Sequence, residues 1–193
     1  TEKILQGVAD MFGMEESPQR IEVFDNSHIS GTNMVGAMIV ATVEGFVKNA
    51  YRLFTIRQAD SADDIGMMRE VLERRFKKAL RTQDQTLDKG GEISLPDLVL
   101  IDGGKAQFNA AKIVLEEYGI LDRLTLVAIA KGTDRHAGRE TFLIEGRAPF
   151  KCAPGDPILY YLQRLRDEAH RFAIGAHRGK RARQIRQSPL DQI

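Results

Sequence analysis

Apolar positions recur at three- and four-residue spacing over residues 2–14, where Ile4, Leu5, Val8, Met11 and Phe12 predict an amphipathic helix ended by Glu15-Glu16-Ser17-Pro18. The pattern then changes period. Residues 20–25 alternate as a strand, residues 36–43 (GAMIVATV) form a second, and Gly45 turns the chain into a third over 46–54. Three strands with short connections predict an antiparallel meander. Residues 63–81 return to helical spacing, with Ile65, Met68, Val71, Leu72, Phe76 and Leu80 on the buried side and Ser61 as N-cap. Residues 84–91 (DQTLDKGG) read as a loop. The run Leu98-Val99-Leu100-Ile101 has no polar face, so it predicts a strand covered on both sides. Gly103-Gly104 leads into a helix over 105–118, closed by Gly119, and strands follow at 124–130 and 140–144. A last helix opens near Gly155-Asp156-Pro157 and runs through Ala173, with Ile158, Leu162, Leu165, Ala169 and Phe172 on one stripe.

This order, a meander followed by helices alternating with buried strands, predicts an α/β fold. Its sheet is mixed, antiparallel on one side and parallel on the other, with helices on its faces. The 193 residues suit a single domain. Residues 1–19 read as a helical lead-in and residues 175–193 as a basic C-terminal tail. One cysteine, Cys152, leaves no internal disulfide and no thiolate-only zinc site. No segment approaches the about 20 apolar residues of a membrane span, and the start Thr1-Glu2-Lys3 lacks an initiator Met, so the chain reads as a cytoplasmic excerpt of a longer protein.

The formal net charge of +1 argues at first against a polyanionic partner. Its distribution reverses that inference. Residues 1–100 hold 12 basic and 16 acidic side chains, whereas residues 171–193 hold Arg171, Arg178, Lys180, Arg181, Arg183 and Arg186 against Asp191 alone. Such a run is either a solvated helix face or a contact with nucleic-acid phosphate.

Asp25 and Asp102 each follow an apolar strand, and a right-handed crossover through the helix at 63–81 would make those strands neighbours. Ligands of open α/β sheets sit at this rim, and two carboxylates there repel unless a cation or proton intervenes. Oxygen ligands with open positions suit Mg²⁺ or Mn²⁺ better than Zn²⁺. Alternatively, each aspartate caps the turn behind its strand. Gly103 and Gly104 either serve a tight turn or let a phosphodiester approach a helix N-terminus beside Lys105. No G-x-x-x-x-G-K-[ST] or G-x-G-x-x-G motif is present, which argues against nucleotide hydrolysis. Of the histidines, His136 reads as exposed, His177 lies among basic residues, and His28 follows Asp25 by three. His170 projects at the margin of the last helix's apolar stripe, as a boundary residue or a proton acceptor.

Residues 21–31 (IEVFDNSHISG), 98–107 (LVLIDGGKAQ) and 166–173 (RDEAHRFA), in this order, resemble the C-terminal nuclease domain of the UvrC family, a subunit of the bacterial excision-repair excinuclease. Supporting segments are 51–54 (YRLF), 68–75 (MREVLERR), 128–132 (AIAKG) and 188–193 (SPLDQI). The resemblance covers essentially the whole chain and implies an RNase H-like fold. It also implies a metal-dependent endonuclease cutting damaged DNA on the 5′ side of the lesion, with an Asp-Asp-His triad carried over to Asp25, Asp102 and His170. The two aspartates would hold Mg²⁺ or Mn²⁺, which would polarise the scissile phosphate; His170 would be a general base or a further ligand. Lys105, Lys131, Arg171, Arg178, Lys180, Arg181 and Arg183 would contact the DNA backbone without sequence preference. UvrB is the implied partner of the full-length protein.

In that family a GIY-YIG nuclease and a UvrB-binding segment precede this domain and a helix-hairpin-helix module follows it. Weak activity and no damage recognition are therefore expected of the excerpt alone. Asn26 stands where an apolar residue is more usual. The competing reading is a catalytically silent RNase H-like scaffold that binds DNA or a repair partner.

Overall fold

The computed structural model describes the backbone of residues 1–29, 33–57, 63–85, 95–131 and 140–186; at positions 28, 29, 33, 78, 79, 81–85 and 176–186 only the backbone is described. Its elements are α1 (Glu2–Phe12), β1 (Ile21–Ile29), β2 (Asn33–Thr42), β3 (Gly45–Phe46), β4 (Arg52–Thr55), α2 (Asp64–Gln85), β5 (Leu98–Asp102), α3 (Lys105–Glu117), β6 (Thr125–Ala130), β7 (Thr141–Ile144) and α4 (Pro157–Arg186). The strands form one seven-stranded mixed sheet of order β3-β2-β1-β5-β6-β7, with β4 also on β2. β1 runs antiparallel to β2 and parallel to β5, and β5 runs parallel to β6, which pairs antiparallel with β7. The expected α/β class and the meander followed by parallel strands are both present.

Side chains alternate along each central strand and divide the core in two. Val23, Ile39, Leu100 and Val127 meet Leu162, Leu165 and Ala169 of α4 and Val8 and Phe12 of α1. Phe24, Met38, Val99 and Ile101 meet Val71, Leu72 and Phe76 of α2 and Val114 of α3. Gly36 of β2 permits the close approach of α2, because a Cβ there would stand 2.3 Å from Cγ2 of Val71. At the other end of β1, the fully buried Glu22 accepts from Nε and Nη2 of Arg75 at 3.0 and 2.8 Å, pinning α2 to the sheet.

Four expectations change. The third strand is broken into β3 and β4 by a 3₁₀ turn at Lys48–Ala50. The register explains the break: Phe46 opposes Ala41 and Arg52 opposes Met38, so six steps on one side face three on the other and the surplus leaves the ladder. Asp25 is not the end of its strand, since β1 continues to Ile29 against β2, but pairing with β5 stops at Phe24↔Ile101. Ile65 is 47% exposed rather than buried, lying in the turn before α2 reaches the sheet, and the Asp63 carboxylate accepts from the Gly66 N–H at 2.8 Å as the cap. Ser61 lies outside the described residues, as does most of the 84–91 loop. Finally, α4 does not stop at Ala173 but continues to Arg186. Gly175 and Gly179 cost about 1 kcal/mol each without ending the helix, and no proline lies between Pro157 and Pro189. Among the described residues no helix is long and apolar enough to cross a membrane.

Candidate active site

The parallel register of β1 and β5 determines the site. Ile21 pairs with Leu98 and the match continues to Phe24 with Ile101, so one further step sets Asp25 beside Asp102. Partners in a parallel ladder share a face, and here it is the face covered by α4. Asp25 is 4% exposed. Burial pushes its carboxyl above the usual range and the Asp102 charge adds to this; a hydrogen bond and charge from His170, and the Lys131 charge, pull the other way. The site thus keeps an acid where an anion is costly, an arrangement a cation would relieve.

His170 comes from the far end of the sequence. Its Nδ1 lies 3.1 Å from Oδ2 of Asp25. With Asp25 ionised, the ring donates to the carboxylate through Nδ1–H, and in the neutral tautomer that does so the lone pair is on Nε2. The His170 side chain is 56% exposed, open to an incoming molecule.

A cleft of about 380 Å³ opens at this rim, lined by Asp25, Asp102, Gly103, Gly104, Gln107 and Lys131, with Asn26, Asp64 and Met68 on the α2 side. The turn into α3 forms its wall. Gly103 N–H donates to Ile129 at 3.0 Å, and Gly104 N–H donates to Oε1 of Gln107 at 3.0 Å. A Cβ on Gly103 would sit 2.9 Å from Cβ and Cγ of Gln107, whereas Gly104, at φ −94°, has nothing nearer than 3.9 Å. Only the first glycine is demanded by packing.

Of the three expected residues, Asp25 and His170 are in direct contact, and Asp102 stands one register step beyond the last paired residues of β1 and β5, beside Asp25. Lys105 is exposed at the first residue of α3, and Lys131 is exposed at the end of β6. Arg171 is exposed but paired with Glu168, which occupies it. Arg178, Lys180, Arg181 and Arg183 lie on the continuation of α4, their side chains outside the described residues, as are those of His28 and His177 and the whole of His136. Two cleft residues escaped the sequence reading. Asp64 supplies a third carboxylate from the first turn of α2, where an acid reads only as a favourable helix-dipole residue. Asn26, in the sequence only a polar residue at a usually apolar position, lines the cleft with a buried Oδ1 that has no hydrogen-bond partner among the described residues.

Among the described residues no three His, Cys, Asp or Glu side chains are gathered tightly enough to hold a metal ion unaided. An open site for a hard cation needs fewer protein ligands, because water and phosphate oxygens complete the shell. The buried, charge-stressed Asp25 beside Asp102 fits that donor chemistry.

Residues 9–174 match the family described as the UvrC RNAse H endonuclease domain. The chain belongs to this family. Curated relatives named UvrABC system protein C are similar over its whole length: 57% identity in Hyphomonas neptunium, covering 100% of the chain and 31% of the relative. Identity is 56% in Paramagnetospirillum magneticum, with 99% and 30% covered. In Chelativorans sp. (strain BNC1) it is 53%, with 99% and 31% covered. The chain thus spans about a third of the length of these UvrC relatives. Among solved structures, a Ciona intestinalis endonuclease V in complex with a 24mer DNA is similar at TM-score 0.39 and 12% identity, covering 70% of this chain and 58% of that one.

Proposed function

We propose that this UvrC domain is the endonuclease that makes the 5′ incision in bacterial nucleotide excision repair, within a cytoplasmic full-length protein that works with UvrB on damaged DNA. The observation that carries this reading is the contact of His170 with Asp25, whose carboxylate lines the same cleft as Asp102. A silent scaffold has no use for a buried aspartate destabilised by a neighbouring one and aimed at an exposed histidine.

Asp25 and Asp102 would hold Mg²⁺ or Mn²⁺, which when bound supplies charge neutralisation at the scissile phosphate. With Nδ1 held by Asp25, Nε2 of His170 would be the nitrogen available to take a proton from the attacking water or to serve as a further ligand. Lys131 and Lys105 flank the cleft with positive charge for the backbone. Arg171, Arg178, Lys180, Arg181 and Arg183 extend that charge along α4 toward DNA beyond the cut. Arg171 is free to do so once it leaves Glu168.

The test is Asp102→Asn in the full-length protein, with the two incisions scored separately on a lesion-bearing duplex. Loss of the 5′ cut with the 3′ cut intact is expected. Undiminished 5′ cutting overturns the assignment.

A further inference from the structure

Three side chains on one flank of α4 meet carboxylates of the sheet. Gln163, Arg166 and His170 follow at spacings of three and four, so they form a single ridge about 10 Å long. His170 reaches Asp25. The other two converge on Glu140: Gln163 Nε2 donates to its Oε1 and Oε2 at 3.0 and 3.1 Å, and Arg166 Nη1 donates to Oε1 at 3.2 Å. Glu140 is 6% exposed and immediately precedes β7, whose Thr141 pairs with Ala130, so it stands beside Lys131 at the rim. The opposite flank is differently held: Phe172 packs edge-on against Tyr51 at 4.9 Å, and Arg164 lies over the Phe46 ring.

We infer that Glu140 is a positioning residue for the nuclease reaction: through Arg166 and Gln163 it fixes the rotation of α4 about its own axis, and with it the approach of His170 to Asp25. This rests on the active-site reading above. The apolar stripe of α4 sets how closely the helix approaches the sheet, but the contacts of Leu162, Leu165 and Ala169 are non-directional and fix its rotation less sharply than a hydrogen bond does. A charge-assisted hydrogen-bonded tie one turn from His170 has a defined direction. A buried ion pair adds little stability over an apolar pair of the same shape, so its use is geometric. Burial pushes the Glu140 carboxyl up, but hydrogen bonds from its own amide and Gln163 and the Arg166 contacts outweigh this and hold it below the usual range, so it stays charged.

The experiment uses full-length protein, with Glu140→Gln, Arg166→Met, Arg166→Lys and, as a packing control, Leu159→Ala, a buried residue of α4 two turns from Arg166. Glu140→Gln and Arg166→Met are expected to lower the single-turnover rate of the 5′ cut about 10- to 100-fold, leaving DNA affinity and the 3′ cut unchanged. Arg166→Lys restores much of the rate, and Leu159→Ala lowers the unfolding temperature without a matching loss of rate. Wild-type 5′ cutting by Glu140→Gln and Arg166→Met overturns the inference, as does a rate loss in Leu159→Ala equal to theirs. Asp102→Asn is run alongside. If it cuts normally, the active-site reading has failed; if it is dead while Glu140→Gln is fully active, only the tie has.

Discussion

Nδ1 of His170 lies 3.1 Å from Oδ2 of Asp25, a contact that joins the last helix to the first strand across 145 residues of sequence. It assigns separate tasks to the two ring nitrogens. Nδ1 is engaged within the protein, and on the proposed function Nε2 is the nitrogen left for the reaction. An asparagine amide nitrogen sits close to where Nδ1 sits, so His170→Asn keeps the Asp25 contact and removes Nε2. It is expected to fold like the parent and to cut as poorly as His170→Ala, with a loss of about 10²–10⁴-fold in rate. Substantial activity in His170→Asn would show that orienting Asp25 is the histidine's whole contribution.

Asp25 is a liability to the fold. Its folded-state pKa is raised above the unfolded 3.8, so its favourable contribution is complete below 3.8 and disappears as pH rises through the folded value. At neutral pH the ionised carboxylate, buried beside Asp102, opposes folding. Asp25→Asn is therefore expected to unfold at a higher temperature than the parent at pH 7 while losing 5′ cutting, and the difference should close as pH approaches 3.8. Melting curves across that range decide the sign.

A cation bound at the site would change this balance. Mg²⁺ or Mn²⁺ should raise the unfolding temperature of the parent, the linkage reaching about 2.7 kcal/mol at a hundredfold excess over Kd. The increment should shrink in Asp25→Asn and Asp102→Asn. Differential scanning fluorimetry with Mg²⁺, Mn²⁺ and, as a control for ionic strength, NaCl measures it. Equal increments in all three proteins would place the ion elsewhere.

How far the site was legible depends on what each residue's placement required. Asp25 and Asp102 were legible because each ends an apolar run facing β5 or β1, and one crossover rule makes those strands neighbours. His170 was legible as a residue at the margin of a helical stripe, but its partner was not, since nothing local encodes which strand a helix covers. Asp64 and Glu140 looked like ordinary helix-start and strand-start acids; their meaning comes from the cleft and from Arg166. The split of β3 from β4 follows from the register with β2, a long-range property no local period carries. The end of α4 is not legible from its apolar stripe, which stops at Ala173 while the helix continues to Arg186.

The near-neutral total charge conceals a strongly basic C-terminal end. Because α4 carries Arg178, Lys180, Arg181 and Arg183 straight on from His170, these four should contribute phosphate contacts at a fixed distance from the cut. Replacing all four by alanine in the full-length protein should weaken DNA binding whatever the sequence. It should also flatten the plot of log affinity against log salt by up to about 0.9 per lost contact. An unchanged salt slope would identify the segment as a solvated helix end.

Gly103 and Gly104 are adjacent in sequence but differ in what holds them to glycine. A methyl group on Gly103 collides with Gln107 at 2.9 Å, and Gln107 cannot swing aside without releasing the Gly104 N–H that its Oε1 accepts. Gly103→Ala should therefore destabilise the fold by about 1–3 kcal/mol. Gly104 has ordinary backbone torsion and open space where a Cβ would go, so Gly104→Ala should fall within about 0.5 kcal/mol of the parent. That open space is the cleft, however, and the added methyl would project from its wall beside Asp102. Gly104→Ala should keep its melting temperature and lose 5′ cutting, chiefly through weaker engagement of the backbone phosphate. The pair thus separates stability from activity at neighbouring positions, and a Gly104→Ala variant that both melts and cuts like the parent would remove this wall of the cleft from the substrate path.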